Sequence, residues 1–232
     1  CYNNVEWVWG YKETDRLGGK DIYSGSKGAA ELVINSYWHS FFKDPKSNIR
    51  IASARAGNVI GGGDWAADRI VPDCINAWSE NKVVEIRSPH ATRPWQHVME
   101  PLSGYLTLGA LLENNKIPQG EAFNFGPSSN QNHSVKELID EMARHWENVK
   151  WNDVSSRSGH MHEAGLLRLN CDKSMNQLNW KATMKFGENV KMTTDWYKVF
   201  YQDEPESMYQ FTIDQISKYT DLAIHRERFW TR

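Results

Sequence analysis

From Ser24 onward, apolar and small residues recur at three- and four-residue steps: Ala29, Leu32, Val33, Ser36, Tyr37 and Phe41. That spacing puts them on one stripe of a helix. The pattern then breaks. Asp44-Pro45 should end the helix, because the residue before a proline is pushed out of the helical region. A short β-like run follows, Ile49 to Ala54, and then a glycine-rich loop, Gly57 to Gly63. A helix feeding a short strand that ends in glycines is the start of a strand–helix alternation, which points to an α/β protein.

The rest of the chain keeps the same rhythm. Asp73 to Glu80 reads as a short helix and Val83 to Ile86 as a strand, with a polar loop from Arg87 to Trp95. Pro101 is expected at the first position of the next helix, where its missing N–H costs nothing. Leu102, Tyr105, Leu106, Leu108, Gly109 and Leu112 continue that helix. Ala122 to Phe125 is a strand closed by Gly126-Pro127. Ser134-Val135-Lys136-Glu137 has the form of a capping box, leading into Val135, Leu138, Ile139, Met142 and Trp146. Asp172 is expected to cap a helix through Leu178, and Gly187 to Phe200 makes a longer one. No internal repeat or low-complexity tract interrupts the series.

Composition excludes several classes. Lys and Arg number 27 against 29 Asp and Glu, a net charge of −2, which is not the basic balance of a nucleic-acid binder. No apolar run reaches the roughly 18 residues of a membrane span. Three scattered cysteines suit neither a disulfide framework nor a zinc module, so the expected compartment is the reducing cytoplasm. His160 and His162 are two apart, but no further His or Cys cluster supports a metal site. The chain opens without an initiator Met or a signal-peptide pattern, and CYNNVEWVWGYKETDRLGGKD reads as a functional loop within a larger protein.

The first chemical constellation is YSGSK. Tyr23 and Lys27 are four residues apart at a helix entrance, so both side chains share a face. A phenol is a poor base at neutral pH, and an adjacent ammonium favours its charged form. Such a pair can take a proton from a sugar or alcohol hydroxyl while hydride leaves the carbon. On spacing alone, a surface tyrosine and a solvated lysine are the preferred explanation; what favours the chemical reading is the context, a strong amphipathic helix leading into a short β run and a glycine-rich loop.

Read in order, CYNNVEWVWGY, GGKDIYSGSKGAAELV, RAGNVIGGGDWAADRIVPD, RPWQHVMEPLSGYL, FNFGP, HEAGLLRLNCDKS and LNW resemble the CDP-D-glucose 4,6-dehydratase family. That family lies in the extended branch of the short-chain dehydrogenase/reductase superfamily. The resemblance runs from Cys1 to about Trp196. The GGGDW and RPWQHV strings are its most specific parts.

The resemblance implies the C-terminal portion of a Rossmann-type parallel-sheet domain with a smaller substrate-binding domain. Residues 1–60 and 98–128 would belong to the NAD-binding part, and 61–97 and 129–232 to the sugar-nucleotide part. It implies a redox-neutral dehydration of a CDP-sugar on one bound NAD. Tyr23 would be the base, and Lys27 would hold both the phenol and the cofactor ribose. Arg55 and Ala56 would lie beside the nicotinamide. Asn58, Arg69 and Arg93 would contact the diphosphate, a guanidinium fork being well matched to phosphate oxygens. His162 and Glu163 would line the nucleotide end. Trp65 and Trp95 could stack on base or sugar, and the helix 24–42 would pair with its copy in a homodimer.

Two parts of the family pattern are not found in these 232 residues: the glycine-rich dinucleotide turn and the Asp-Lys pair expected just before the position of Cys1. The chain by itself is therefore expected neither to hold NAD tightly nor to turn over. Asn170 and Asp172 depart from the family's Asp and Ser. A nucleotide-sugar epimerase or reductase would share Tyr23 and Lys27, and a non-catalytic carbohydrate-binding module would account for the eleven tryptophans.

Overall fold

A computed structural model describes residues 1–44, 46–156, 165–202 and 207–232. Helix α1 (Ile22–Tyr37) begins at Asp21, whose carboxylate accepts from the Ser24 amide at 2.8 Å. This is the side-chain capping that satisfies a free first-turn N–H. The helix continues into a π-helical turn, Trp38–Phe42, closed by the Lys43 amide on the Trp38 carbonyl at 2.9 Å. Trp38 is the anchor of this end. Its indole lies against Gly120, which has φ +77° and where a Cβ would fall 2.2 Å from Nε1.

Strand β1 (Ser53–Ala56) starts four residues later than the expected run and ends two later, and it pairs in parallel with β6 (Ala122–Phe125), Ala54 opposite Phe123. The glycine-rich loop contains a strand that the sequence did not suggest, β2 (Val59–Ile60), parallel to β5 (Gln96–His97). β3 (Val84–Ile86) pairs in parallel with β8 (Trp151–Asp153), and β4 (Thr92–Arg93) in antiparallel fashion with β7 (His133–Ser134). The parallel pairs are joined by crossovers that carry helices, the arrangement such pairs require.

Helix α2 (Ile70–Ser79) starts three residues ahead of expectation, since Pro72 is accepted in a first turn whose amides need no intrahelical partner. For the same reason Pro101 is the third residue, not the first, of α3 (Met99–Glu113). The capping box at Ser134 is present, opening α4 (Val135–Met142); Trp146 packs beyond the helix end. In α5 (Asp172–Gln177) the cap is Cys171, and Asp172 is the first helical residue. Asn170 and Asp172, the two departures from the family pattern, bond to each other: the Asp172 amide to Asn170 Oδ1 at 3.0 Å and Asn170 Nδ2 to Asp172 Oδ2 at 2.8 Å. α6 (Phe186–Gln202) is followed by α7 (Met208–His225), a helix that the sequence reading did not foresee.

Apolar side chains gather in separate cores. One joins Ile60, Val71, Ile75, Trp78, Ile86, Leu138, Ile139, Val190 and Tyr197. Another joins Leu108, Leu112, Phe123, Phe125, Leu178 and Trp180. Leu178 and Trp180 thus pack with α3 and β6 although the expected boundary put them in the other part. A small third core of Tyr2, Tyr11 and Leu169 sits under the N-terminal loop. Among the residues of α1, only Gly28 is buried; Leu32, Val33 and Tyr37 are exposed, as is Phe41 in the π-helical turn that continues it. No helix among the described residues is long and apolar enough to cross a membrane.

Candidate functional site

Tyr23 and Lys27 do share a face of α1, with the Lys27 ammonium 5.7 Å from the centre of the phenol ring. The next residue, Gly28, rests on the backbone of Gly18; a Cβ there would fall 2.7 Å from the Gly18 nitrogen. The missing side chain lets the N-terminal loop approach the helix beside Lys27. Tyr23 itself is 71% exposed. The pair is assembled but open to solvent, not enclosed at the mouth of a pocket, because nothing among the described residues lies over this face.

Arg55 points the other way. Its guanidinium bonds Tyr2 Oη at 2.9 Å, the Glu13 carbonyl at 3.0 Å and Glu31 Oε2 at 2.9 Å, with side-chain exposures of 8% for Arg55 and 14% for Glu31. Tyr2 Oη in turn donates to Asn124 Oδ1 at 2.6 Å. Burial pushes the Tyr2 phenol up to about 12, so it stays a neutral donor. The side chain of Arg55 is therefore a structural tie between α1, β1 and the N-terminal loop. Ala56, the next residue of β1, is half-buried.

The glycine loop leads to Arg69. Gly62 packs so closely on Trp196 of α6 that a Cβ would fall 2.0 Å from its Cγ. The Tyr197 hydroxyl grips the next turn from both sides, donating to the Asp64 carbonyl at 2.6 Å and accepting from the Asp64 amide at 3.1 Å. Asp64 Oδ2 then holds Arg69 Nη1 at 2.8 Å. Arg69 is exposed, and its charge is held by Asp64 first, with Tyr23 also acting on it electrostatically. Two residues chosen from sequence are thus brought within electrostatic range of each other.

Asn58 is half-buried and receives the Gln96 amide on its carbonyl at 2.9 Å. Arg93, on β4, is half-buried and bonds the Thr92 carbonyl at 2.8 Å. Trp95 is core, its indole N–H on the His133 carbonyl at 3.0 Å, and is not free to stack on a ligand. Trp65 is partly exposed but sits in an aromatic cluster with Trp196, Tyr197, Phe200 and Tyr201. His160, His162 and Glu163 lie outside the described residues, among which no group of His, Cys, Asp or Glu is placed to hold a metal.

Two organising residues escaped the sequence reading. Asn124, fully buried in β6, accepts from Tyr2 and donates to the Tyr11 and Asn170 carbonyls at 2.9 and 3.0 Å. A lone polar residue between two phenylalanines of a short strand was its signal. Glu100, also fully buried, accepts from the Thr183 and Met184 amides at 2.8 and 2.6 Å and from Tyr219 Oη at 3.1 Å. Burial raises its carboxyl above the ordinary value against those bonds. No local pattern marks it, since a first-turn glutamate normally faces water.

A dinucleotide fits this surface in part. The Tyr23 and Lys27 donors suit a nicotinamide ribose. The Gly61–Gly63 turn offers no phosphate cradle, because Trp196 and Val98 fill the space beside it.

No family model matches the chain. It is 41% identical over 208 residues to the CDP-glucose 4,6-dehydratase of Salmonella typhimurium, covering 88% of this chain and 57% of that protein. It is 24% identical over 182 residues to the dTDP-D-glucose 4,6-dehydratase of Mus musculus, covering 76% of this chain and 47% of that one. The chain thus spans about half the length of the curated relatives it matches. Among solved structures, the UDP-glucuronic acid 4-epimerase of Bacillus cereus, in complex with UDP-glucuronic acid and NAD, superposes with a TM-score of 0.70 at 20% identity. That match covers 84% of this chain and 58% of that one. The dTDP-glucose 4,6-dehydratase of Bacillus anthracis, in complex with NAD, gives 0.65 at 16% identity over 88% and 59%. The chain therefore has the α/β fold of the nucleotide-sugar 4,6-dehydratases and 4-epimerases and, over most of its length, is similar in sequence to a CDP-glucose 4,6-dehydratase.

Proposed function

We propose that this chain is the greater part of an NAD-dependent enzyme that dehydrates CDP-D-glucose to CDP-4-keto-6-deoxy-D-glucose. The observation that carries the reading is 41% identity across 88% of the chain to a CDP-glucose 4,6-dehydratase, with Tyr23 and Lys27 sharing one face of α1. Bound NAD supplies the hydride acceptor for the sugar's C4 and the hydride donor for C6. Tyr23 takes the proton of the 4-hydroxyl, and the Lys27 ammonium stabilises the phenolate and holds ribose hydroxyls. Asn58, Arg69 and Arg93 bind the diphosphate, and Ala56 flanks the nicotinamide. His162 and Glu163 serve the nucleotide end. Oxidation at C4 comes first because a 4-keto group acidifies the C5 proton, which a side-chain base cannot otherwise remove. The acid–base pair for elimination and the glycine-rich phosphate turn are assigned to the stretch by which the Salmonella protein exceeds the match. Without that stretch the chain neither retains NAD nor turns over.

The division into an NAD-binding part (1–60 and 98–128) and a sugar-nucleotide part (61–97 and 129–232) belongs to the same reading, with Leu178 and Trp180 crossing it to pack against the NAD-binding part. So do a cytoplasmic location and a homodimer through helix 24–42. Exposed Leu32, Val33, Tyr37 and Phe41 support the dimer, since four large apolar side chains on one helix call for a cover.

The test is to incubate the intact enzyme with CDP-glucose and NAD and follow the absorbance of a 4-keto product in alkali. The expected result is that product, with Tyr23→Phe slower by about 10²–10⁴-fold. A CDP-hexose epimer with no keto product would overturn the assignment in favour of an epimerase. Full activity of Tyr23→Phe would remove the base.

A further inference from the structure

A polar cavity of about 250 Å³ lies between the turn at Asn179 and Lys181 and the C-terminal segment beyond α7. Four cations line it, Lys181, Arg226, Arg228 and Arg232, against one lining carboxylate, Glu227. Only Arg226 has a carboxylate partner among the described residues: Glu188 takes both its nitrogens at 2.8 and 2.7 Å. We propose that this cavity binds a small phosphate-bearing anion of about pyrophosphate size, at a site separate from the Tyr23–Lys27 face.

The geometry supports a built site more than an accidental crowd of surface charge. The segment leaves α7 through a tight turn, with Glu227 at φ 52°. The Arg226, Glu227 and Arg228 amides close on the Leu222, Ile224 and Ala223 carbonyls at 3.0, 2.9 and 2.9 Å. Those bonds occupy the last carbonyls of α7, whose negative dipole end would otherwise repel an anion. Trp230 stacks on Tyr219 at 5.7 Å and fixes the far side of the turn. Arg226 is further tied to the Thr183 carbonyl. Arg228 bonds the Arg226 carbonyl at 3.3 Å, yet its buried Nε has no partner. A buried donor left unmet is costly, so this end of the fold carries an unsatisfied positive group beside the cavity that Arg228 lines. The field of Arg228 also reaches buried Glu100, so this arginine is committed to the fold as well. Lys181 and Arg232 are exposed and free to close on a ligand. The cavity is too small for a nucleic-acid strand, and the net charge of −2 gives no wider basic surface to track one.

The test titrates sodium pyrophosphate into the intact protein by calorimetry at constant ionic strength, comparing wild type with the double variant Lys181→Glu/Arg232→Glu. Wild type should show saturable binding, weakened in the variant by about tenfold or more, the loss expected from a charge-assisted hydrogen bond. The neutral pair Lys181→Met/Arg232→Met should lie between the two, and thermal melting verifies that both variants are folded. A parallel titration with CDP identifies the source. An equal loss for CDP means that a nucleotide diphosphate enters the cavity. A loss confined to pyrophosphate means that free phosphate is the ligand, and either result upholds the site. Absence of saturable binding, or equal affinity in wild type and both variants, overturns it.

Discussion

Replacing Arg55 by methionine separates a structural from a cofactor role for this residue. The substitution keeps an unbranched apolar stem and removes the guanidinium that joins Tyr2, Glu13 and Glu31. Glu31, only 14% exposed, is left as an uncompensated buried carboxylate. Breaking one partner out of such a pair costs about 3–5 kcal/mol. Tyr2 keeps its bond to Asn124, which argues for the lower end, about 3 kcal/mol. For a chain of this size that corresponds to a fall in Tm of roughly 6–12 °C. The double variant Arg55→Met/Glu31→Leu should recover most of the loss, because no charge is then stranded. Urea titrations of the four members of the cycle, followed by far-ultraviolet circular dichroism, give the coupling directly. A loss below about 1 kcal/mol for Arg55→Met, or strictly additive single variants, would refute the argument. Unchanged stability with weakened NAD binding in the intact enzyme would restore the cofactor role first read from the sequence.

Two further substitutions probe the packing around the candidate site. Gly104→Ala would put a methyl 2.3 Å from Cδ1 of Phe125, whose ring is held edge-on by Tyr105 and Trp180. Overpacking of that kind costs about 1–3 kcal/mol, and an unchanged urea midpoint would contradict it. Burial lowers His97 to about 4 from an ordinary value of 6.5. As pH falls through that window the unfolded chain takes up a proton that the native ring refuses, so stability should decline by up to roughly 1.4 kcal/mol per pH unit and level off below about 4. His97→Gln should lack this component of the slope; parallel pH profiles for the two proteins would sink the assignment.

What the sequence made legible was local. The Ser134 capping box and strand Ala122–Phe125 are written in consecutive residues, and both form where expected. The Tyr23–Lys27 spacing likewise needs only a helix. Two-residue strands such as Val59–Ile60 carry no period that would distinguish them from loop. α7 went unread because its buried face includes Gln215 as well as Met208, Tyr219 and Ala223, which breaks the apolar stripe. The partners of Arg55 and the burial of Glu100 are not legible for a different reason. Their partners lie 24 to 53 and 83 to 119 positions away, so burial of the charge is decided by tertiary contacts alone. The exposure of α1 was equally beyond reach, since an amphipathic stripe does not say what will cover it.

The double grip of the Tyr197 hydroxyl on Asp64 bears on how a ligand would be received. A guanidinium on a swinging loop must be ordered at the moment of encounter, and that entropy is subtracted from affinity. Here the loop is clamped to α6 and Arg69 is braced by Asp64 in advance. If Arg69 binds the diphosphate as proposed, the ligand meets a guanidinium already placed by Asp64 on a clamped loop, so less ordering is left to be done on binding.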